Sequence, residues 1–508
     1  MESCGKHKKY IIFSLLTFFV FGLCLLNLHK NNFFSIVQSD MSTKVSTLCN
    51  GITLCLCGFY VLLIFLILFK KISLNKLFLA SALVLGSAIT LIIPIGNVPD
   101  EENAHMGTVY HYSNVLMGVE DGDLNHVKIR KCDEDIPSFK VIDDQKFETY
   151  LSDLSNNTNL DETMIESKSH GFGFRVDLFT YFFSTIGFTI GRLLHLNGIL
   201  CFLIGRFFNF AVFLIAAYWC LSRIKNFKEI LMMVCLLPIT LQQACSLSYD
   251  SATITLSLLI ITLTVNLYTK KKLTKKEKIA LIVSCVLLIP CKGFMYPLLI
   301  LAPLSFFLTK VDFSKPIVKK LLIASLSILL FLSCAIIILC HSVSDQSSLF
   351  YLVGHPKMLT KILLSTFESE FYIDVQETVG CLGLMQFRFN NNIYLLYFIF
   401  MVYVVIKSKS TIKIPIISRC VFVAIIVITT AGSLIALYPQ TYSGGYIDLV
   451  NKFSIEGFQG RYFIPILIPF LIAFTQSEKL EDVNLNQKVL TISSLLCILC
   501  VFETMSCL

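Results

Sequence analysis

Residues 94–105 read PIGNVPDEENAH, and the three consecutive acids in this stretch follow directly on a long apolar run. A carboxylate placed at such a boundary can act as a general base toward a reacting hydroxyl. Asp100 and Glu101 are placed where a carboxylate could do this chemistry. Glu101 and His105 are four residues apart, so on a helix they share one face and could hold a divalent metal or orient a catalytic carboxylate. One Glu and one His make a weak metal site, so Mg²⁺ or Mn²⁺ stays an open question.

The same acids also fit an ordinary helix start. Pro99 followed by Asp100 and Glu101 is a common opening, because acids in the first turn complement the helix dipole. Asp100 would then be an N-cap whose side chain accepts a backbone hydrogen bond. The motif by itself leaves both interpretations open.

Four more charged residues lie within or beside apolar segments, where an unpaired charge is costly. They are Arg206 in LCFLIGRFFNF, Asp250 in QQACSLSYD, Lys292 in IPCKGFMYP and Arg461 in FQGRYFIPI. Each has a simpler alternative. Lys292 and Arg461 could extend toward lipid headgroups. Asp250 could be an N-cap, and Arg206 could pair with a structural carboxylate such as Asp177.

The composition indicates how these residues are positioned. The chain has 508 residues, of which 55% are hydrophobic and 15% charged. Soluble domains average roughly 25% charged residues, and apolar runs of about 17–25 residues, long enough to span a bilayer, recur throughout this chain. The sequence therefore predicts an all-α polytopic membrane protein.

The basic residues predict the topology. The net charge is +8, but Lys and Arg lie in short clusters between apolar segments, which is typical of cytoplasmic loops rather than of a nucleic-acid-binding surface. A single threading with about thirteen spans, one of them near 229–247, puts every strong cluster on one side. Residues 97–175 then form a large extracytoplasmic loop, and 178–196 and 350–375 are surface helices. All the charged residues named above fall near the outer leaflet, and this convergence from separate segments favours a site.

Several motifs, in chain order, resemble those of the bacterial membrane-protein family known as domain of unknown function 2142. VPDEENAH resembles its PPDExxH signature, and IGRLLHLNGILCFLIGRFFNF resembles its paired GR motifs. LPITLQQACSLSYDSATITLS, IPCKGFMYPLLIL, GHPKMLTKILLSTF, ETVGCLGLM and IEGFQGRYFIPILIPFL resemble its later motifs. The motifs extend from about residue 90 to 476. We therefore divide the chain into two additional N-terminal transmembrane helices (1–76), a core (77–476) and a C-terminal transmembrane helix (477–508).

That family resembles the GT-C glycosyltransferases, which are multi-span enzymes that take sugars from lipid phosphates. The resemblance implies a transferase of the plasma membrane that moves a sugar from a polyprenyl-phosphate donor to an extracytoplasmic envelope glycan. It implies that Asp100 is the catalytic base and that Glu101 assists it or contacts a metal. Arg461, Lys292 and then Arg206 are the residues expected to bind the donor phosphate. Candidate substrate-binding residues are His105, Asp250, Gln459 and Tyr462.

Other functions stay open at this point. The protein could be a flippase, a polysaccharide transporter or a non-catalytic scaffold for envelope assembly, or a polymerase or ligase that acts on lipid-linked oligosaccharides. Transporters often show broken helices at the bilayer midplane and inverted repeats. The unusual polar groups of this chain instead lie at one face, and the acidic motif after a span favours the transferase.

Overall fold

The computed structural model describes residues 2–31, 43–119, 127–136, 144–158, 160–167, 178–293, 295–312, 314–341, 343–445, 453–477 and 484–507. Its helices are α1 (Glu2–Lys30), α2 (Thr43–Phe69), α3 (Leu74–Ile92), α4 (Met106–Met117), α5 (Asp144–Ser155), α6 (Leu178–Leu193), α7 (Gly198–Arg223), α8 (Lys228–Cys235), α9 (Pro238–Ala244), α10 (Asp250–Lys270), α11 (Lys275–Leu288), α12 (Leu301–Leu308), α13 (Pro316–His341), α14 (Leu349–Gly354), α15 (Pro356–Val379), α16 (Asn391–Lys407), α17 (Ile416–Ser443), α18 (Ile464–Ala473) and α19 (Leu485–Met505).

The remaining regular structure is small. Three strand pairs are present in the described parts of the chain: β1 (Lys128–Arg130) with β2 (Met164–Glu166), β3 (Cys381–Leu382) with β4 (Phe387–Arg388), and β5 (Lys409–Ser410) with β6 (Gln476–Ser477). The first two pairs are antiparallel and the third is parallel. A π-helical turn covers Glu101–His105, and 3₁₀ turns precede α12 and α18. The prediction of an all-α architecture is confirmed.

Seven of the described helices are long and apolar enough to cross a membrane: α2, α3, α7, α10, α17, α19 and the Lys9–Lys30 part of α1. This finding supports a membrane protein, while the count of thirteen spans stays a prediction. The span expected at 229–247 is divided into α8 and α9. Pro238 begins α9, and proline cannot donate the backbone hydrogen bond that would continue α8. Both short helices are buried on all sides, so they form part of the interior.

Helix α10 lies at the centre of the packed helices. It packs against α7, α9, α11, α12 and α18, and nearly all of its residues are buried. Helix α3 packs against α2, α7, α9 and α19, which brings the acidic motif that follows it close to the first turn of α10. Because α19 also contacts α2, α8 and α16, the C-terminal helix is an integral part of the helical core.

The loop after α3 is anchored to this core by polar contacts. Arg130 binds Asp133 at 2.8 Å and Glu162 at 2.9 Å. Arg192 of α6 donates to Ser113 at 2.9 Å and to Asn114 at 2.8 Å in α4. Helix α6 itself packs along α7. The first turn of the loop, which carries the three acids, is therefore held between α3 and α4 in a defined position.

Candidate functional site

Five segments that are far apart in the sequence deliver the candidate residues. Asp100 and Glu101 follow α3, and Arg206 lies in α7. Asp250 is the first residue of α10, Lys292 lies in the turn after α11, and Arg461 lies in the 3₁₀ turn before α18. The structure brings these side chains into two adjacent ion-pair systems.

The first system, which we name the charged chain, consists of Lys292, Asp250, Arg461 and Asp100. Lys292 Nζ lies 2.6 Å from Asp250 Oδ1. Arg461 Nη1 lies 3.1 Å from Asp250 Oδ2, and its Nη2 lies 2.7 Å from Asp100 Oδ2. Two cations therefore alternate with two carboxylates, and the charged chain is neutral as a whole when all four groups are ionised.

Exposure differs strongly along the charged chain. The side chain of Arg461 is 0% exposed, and those of Asp250 and Lys292 are 6% and 7% exposed. The side chain of Asp100 is 41% exposed. Asp100 is therefore the end of the charged chain that a soluble molecule can reach.

The same surroundings shift two pKa values. Partial burial disfavours the charged form of Asp100, but Arg461, His105 and Lys292 together outweigh this effect and hold the pKa of the carboxyl below its ordinary value of 3.8. Burial lowers the pKa of the Lys292 ammonium to about 7, and the Asp250 carboxylate opposes this shift only in part. Asp100 is thus ionised at neutral pH, while Lys292 is close to its titration point.

The simpler alternatives do not account for the contacts of these residues. Asp100 does occupy the N-cap position of the π-helical turn, but its backbone is left-handed with φ of 64° and its side chain makes no capping hydrogen bond. The residue at the N-cap of α10 is Tyr249, and the Asp250 carboxylate binds cations instead. Lys292 and Arg461 are buried against these acids and do not extend toward headgroups. Lys292 also has a left-handed backbone, with φ of 51°; such strained conformations are frequent at functional sites.

The second system is the pair of Glu101 and Arg206, whose side chains are 0% and 1% exposed. Glu101 accepts from Arg206 Nε at 3.0 Å and from Arg206 Nη2. It also accepts from the backbone N–H groups of Gly96 and Leu247, each at 3.0 Å. Arg206 donates further to two carbonyl oxygens just after α3, at 2.7 and 2.8 Å. This pair therefore joins α3, α7 and the loop before α10, while Asp177 lies outside the described residues.

The other predicted substrate-binding residues surround the charged chain. Gln459 Oε1 accepts from Arg461 Nε at 2.5 Å. Lys292 Nζ lies 3.7 Å from the centre of the Tyr462 ring, which is a cation–π geometry. His105 Nδ1 lies 2.9 Å from the Tyr181 hydroxyl. These residues orient the cations and line the site, and their binding of a substrate stays a prediction.

Two contributors to the site were not expected from the sequence. The Tyr249 ring meets the His105 ring edge-on, with centroids 4.8 Å apart. Tyr296 donates to the Tyr462 carbonyl oxygen at 3.0 Å. Both tyrosines lie close in sequence to a predicted site residue, because Tyr249 directly precedes Asp250 and Tyr296 follows Lys292 by four residues. Their contacts, however, cross between segments that no local pattern relates.

The donor set does not suit a divalent cation. In the described parts of the chain, no group of three His, Cys, Asp or Glu side chains is arranged to hold a metal. Asp100 and Asp250 are bridged by the Arg461 guanidinium, and Glu101, the proposed metal contact with His105, is neutralised by Arg206. Mg²⁺ or Mn²⁺ would have to displace an arginine from either place.

A groove opens beside the charged chain, with a volume of about 440 Å³. Its lining includes Lys292, Tyr249 and Tyr462. Small residues of α17 (Gly432, Ser433 and Ala436) also line it, with Met295 and Leu298 from the segment after Lys292. The groove therefore combines a lysine with mainly apolar residues.

A family model described as "Predicted membrane protein (DUF2142)" matches residues 83–470. The matched stretch starts within α3 and ends within α18, so it contains the charged chain and the pair of Glu101 and Arg206. No curated protein and no solved structure matches the chain.

Proposed function

The chain belongs to the DUF2142 family of predicted membrane proteins, as its motifs predict, and on this premise we propose that it is a glycosyltransferase of the GT-C type. In this proposal it moves a sugar from a polyprenyl-phosphate donor to an envelope glycan at the extracytoplasmic face of the plasma membrane. One observation carries the proposal: a partly exposed carboxylate, Asp100, lies in direct contact with a fully buried arginine, Arg461, and Lys292 of the same charged chain lines a groove with mainly apolar residues.

The reaction requires a base and a stabilised leaving group. The acceptor hydroxyl oxygen forms a bond to the anomeric carbon, and the bond from that carbon to the phosphate oxygen breaks. Asp100 takes the hydroxyl proton. The phosphate leaves with the bonding electrons and gains negative charge, which Arg461 and Lys292 stabilise. Arginine suits this role because its planar fork can bind two phosphate oxygens.

The contacts within the charged chain suggest how binding of the donor phosphate increases the basicity of Asp100. Arg461 is occupied by Asp100 at 2.7 Å, so an arriving phosphate exchanges with this carboxylate for the guanidinium. Asp100 loses the contact that lowers its pKa and becomes a stronger base when the donor is in place. Asp250 stays between Lys292 and Arg461 and keeps both cations aimed at the phosphate.

The groove supports a lipid-linked donor in particular. With the phosphate at Lys292 and Arg461, the prenyl chain extends along the small residues of α17. Those residues allow a bulky chain to approach the helix closely. Glu101 and Arg206 take a structural part in this proposal, because their hydrogen bonds are directed to each other and to the backbone.

The test is sugar transfer by purified protein in detergent, with radiolabelled polyprenyl-phosphate hexoses as donors and an envelope extract as acceptor. We expect Asp100→Asn to lose roughly 10²–10⁴-fold in rate, the usual contribution of a general base. Asp135→Asn removes an exposed acid of the same loop and serves as the matched control, with an unchanged rate. The unfolding temperature of both variants should stay near that of the wild type.

Equal transfer by the wild type and Asp100→Asn would remove Asp100 from catalysis. If the wild type transfers no sugar from any donor while still binding polyprenyl phosphate, the flippase or transporter function becomes the better explanation. A protein that neither transfers sugar nor binds these lipids would instead fit the function of a non-catalytic scaffold.

A further inference from the structure

A larger cavity lies at the opposite end of α10 from the charged chain. It has a volume of about 750 Å³ and is bounded by α11, α12 and the C-terminal end of α10. Four lysines line it: Lys271, Lys272, Lys278 and Lys310. Since α10 has 21 residues at 1.5 Å each, Lys271 and Lys272 after its C-terminal end lie about 30 Å from Asp250, which is the thickness of a bilayer core.

The cations of this cavity differ from those of the charged chain. In the part of the chain that the structure describes, none of the four lysines forms an ion pair with a carboxylate. The nearby Glu277 is bound to Lys270, at 2.6 Å, outside the set that lines the cavity. Lys310 Nζ lies 4.5 Å from the centre of the Phe306 ring, a contact that leaves its charge uncompensated. The cavity therefore has a net positive charge available to an anionic ligand.

The walls of the cavity are apolar and open. Ile282 and Val286 of α11 are 63% and 58% exposed, and Leu304 and Phe307 of α12 are 47% and 55% exposed. Exposed residues of this size on membrane helices contact lipid chains rather than water. A ligand of this cavity consequently needs an anionic head at the lysines and a hydrocarbon part along the two helices.

We propose that this cavity binds an anionic phospholipid of the surrounding bilayer, with the headgroup phosphate at the lysines and an acyl chain between α11 and α12. Basic pockets between helices, at the membrane face where lysine-rich loops gather, recognise such headgroups. A soluble phosphate would leave the apolar walls without a partner. This inference is independent of the proposed sugar transfer, because the four lysines do not belong to the charged chain, and Lys271 and Lys272 follow the end of α10 opposite to Asp250.

The experiment is native mass spectrometry of the purified protein in micelles that contain phosphatidylglycerol and phosphatidylcholine in equal amounts. We expect retention of phosphatidylglycerol on the wild type. The variant Lys271→Gln/Lys272→Gln/Lys278→Gln/Lys310→Gln should lose it, with affinity falling roughly fivefold for each lysine removed. The control Lys275→Gln/Lys276→Gln/Lys315→Gln/Lys319→Gln removes the same number of charges from the same end of the helices, outside the cavity.

A second variant tests the apolar part of the cavity with its charge intact. Val286→Trp fills the space beside α11 at an exposed position, so the fold should persist while phosphatidylglycerol binding weakens. Equal loss in the control and cavity lysine variants would overturn the proposal in favour of general surface charge. Full retention in the cavity lysine variant would overturn it directly, and so would competition by inorganic phosphate alone.

Discussion

Asp100 and Glu101 are neighbours in the sequence, and each contacts an arginine that follows a glycine, yet their surroundings are opposite. Glu101 and Arg206 are almost completely buried, and the carboxylate receives four hydrogen bonds. Asp100 is 41% exposed, and its arginine, Arg461, is shared with a second acid. The pair of Glu101 and Arg206 is buried and fully hydrogen-bonded, while the pair of Asp100 and Arg461 has a solvent-accessible carboxylate.

This difference assigns separate tasks to adjacent carboxylates. A buried ion pair with complete hydrogen bonding holds elements together, because removing either partner leaves an uncompensated charge inside the protein. An exposed carboxylate beside a buried cation can instead exchange partners with an incoming anion. The first system fixes the direction in which the motif leaves α3, and the second leaves the Asp100 carboxylate accessible, as the proposed transfer requires.

The two glycines before the arginines have a common steric role. A Cβ atom at Gly205 would lie 2.9 Å from the Ser184 carbonyl oxygen, and one at Gly460 would collide with the Asp374 carbonyl oxygen. Both positions therefore need the smallest residue so that a neighbouring helix can approach. In each case the close approach sets where the following arginine points.

The largest expected effect is loss of stability in Arg206→Met. Removing one member of a buried ion pair costs about 3–5 kcal/mol, because Glu101 stays buried without its guanidinium. Arg461→Met should lower the stability less, since Asp250 keeps its ion pair with Lys292 and the Asp100 carboxylate is partly exposed to solvent. Thermal unfolding in detergent, followed with a thiol-reactive dye that detects the many buried cysteines, measures both.

The double variant Glu101→Gln/Arg206→Met is the control for this comparison. It removes both charges and should recover part of the stability lost by Arg206→Met. Equal losses of stability in Arg206→Met and Arg461→Met would contradict the difference between the buried pair of Glu101 and Arg206 and the partly exposed pair of Asp100 and Arg461.

A smaller effect is expected for Gly460→Ala. The added methyl group meets backbone atoms of α15, so this helix and the 3₁₀ turn before α18 must separate, at a cost of about 1–3 kcal/mol typical of overpacking. The shift moves Arg461, so the affinity for polyprenyl phosphate should fall as well. Gly58→Ala in α2 has open space around the new methyl group and is the matched control; loss of lipid affinity in both variants would refute the steric explanation.

The smallest effect is a pH dependence of donor binding. Lys292 is charged below its lowered pKa of about 7 and neutral above it. Affinity for polyprenyl phosphate should therefore be full at low pH and fall as pH rises through about 7, by roughly tenfold for the loss of one charge-assisted hydrogen bond. Lys292→Arg stays charged and should remove this dependence. Binding is measured as the ligand-induced shift in unfolding temperature at pH values on either side of this pKa, and identical profiles for both proteins would exclude Lys292 from phosphate binding.

Part of the site was predictable because its residues break local rules. Charged side chains beside apolar runs are costly, so the amino-acid sequence alone makes Asp100, Asp250, Lys292 and Arg461 conspicuous. Their contacts were not predictable, because each joins segments separated by 42 to 361 positions. The division of the expected span at 229–247 into α8 and α9 was not predicted either, although Pro238 is a visible helix breaker.

The sequence by itself determined that this is a helical membrane protein of a recognisable family, since hydropathy and motif order depend only on residue type and spacing. It also determined that a few charged residues needed partners. Only the tertiary structure decided which partner each one has. Helix packing placed Arg206 against Glu101 and Arg461 against Asp100, and it buried one acid while leaving its neighbour accessible.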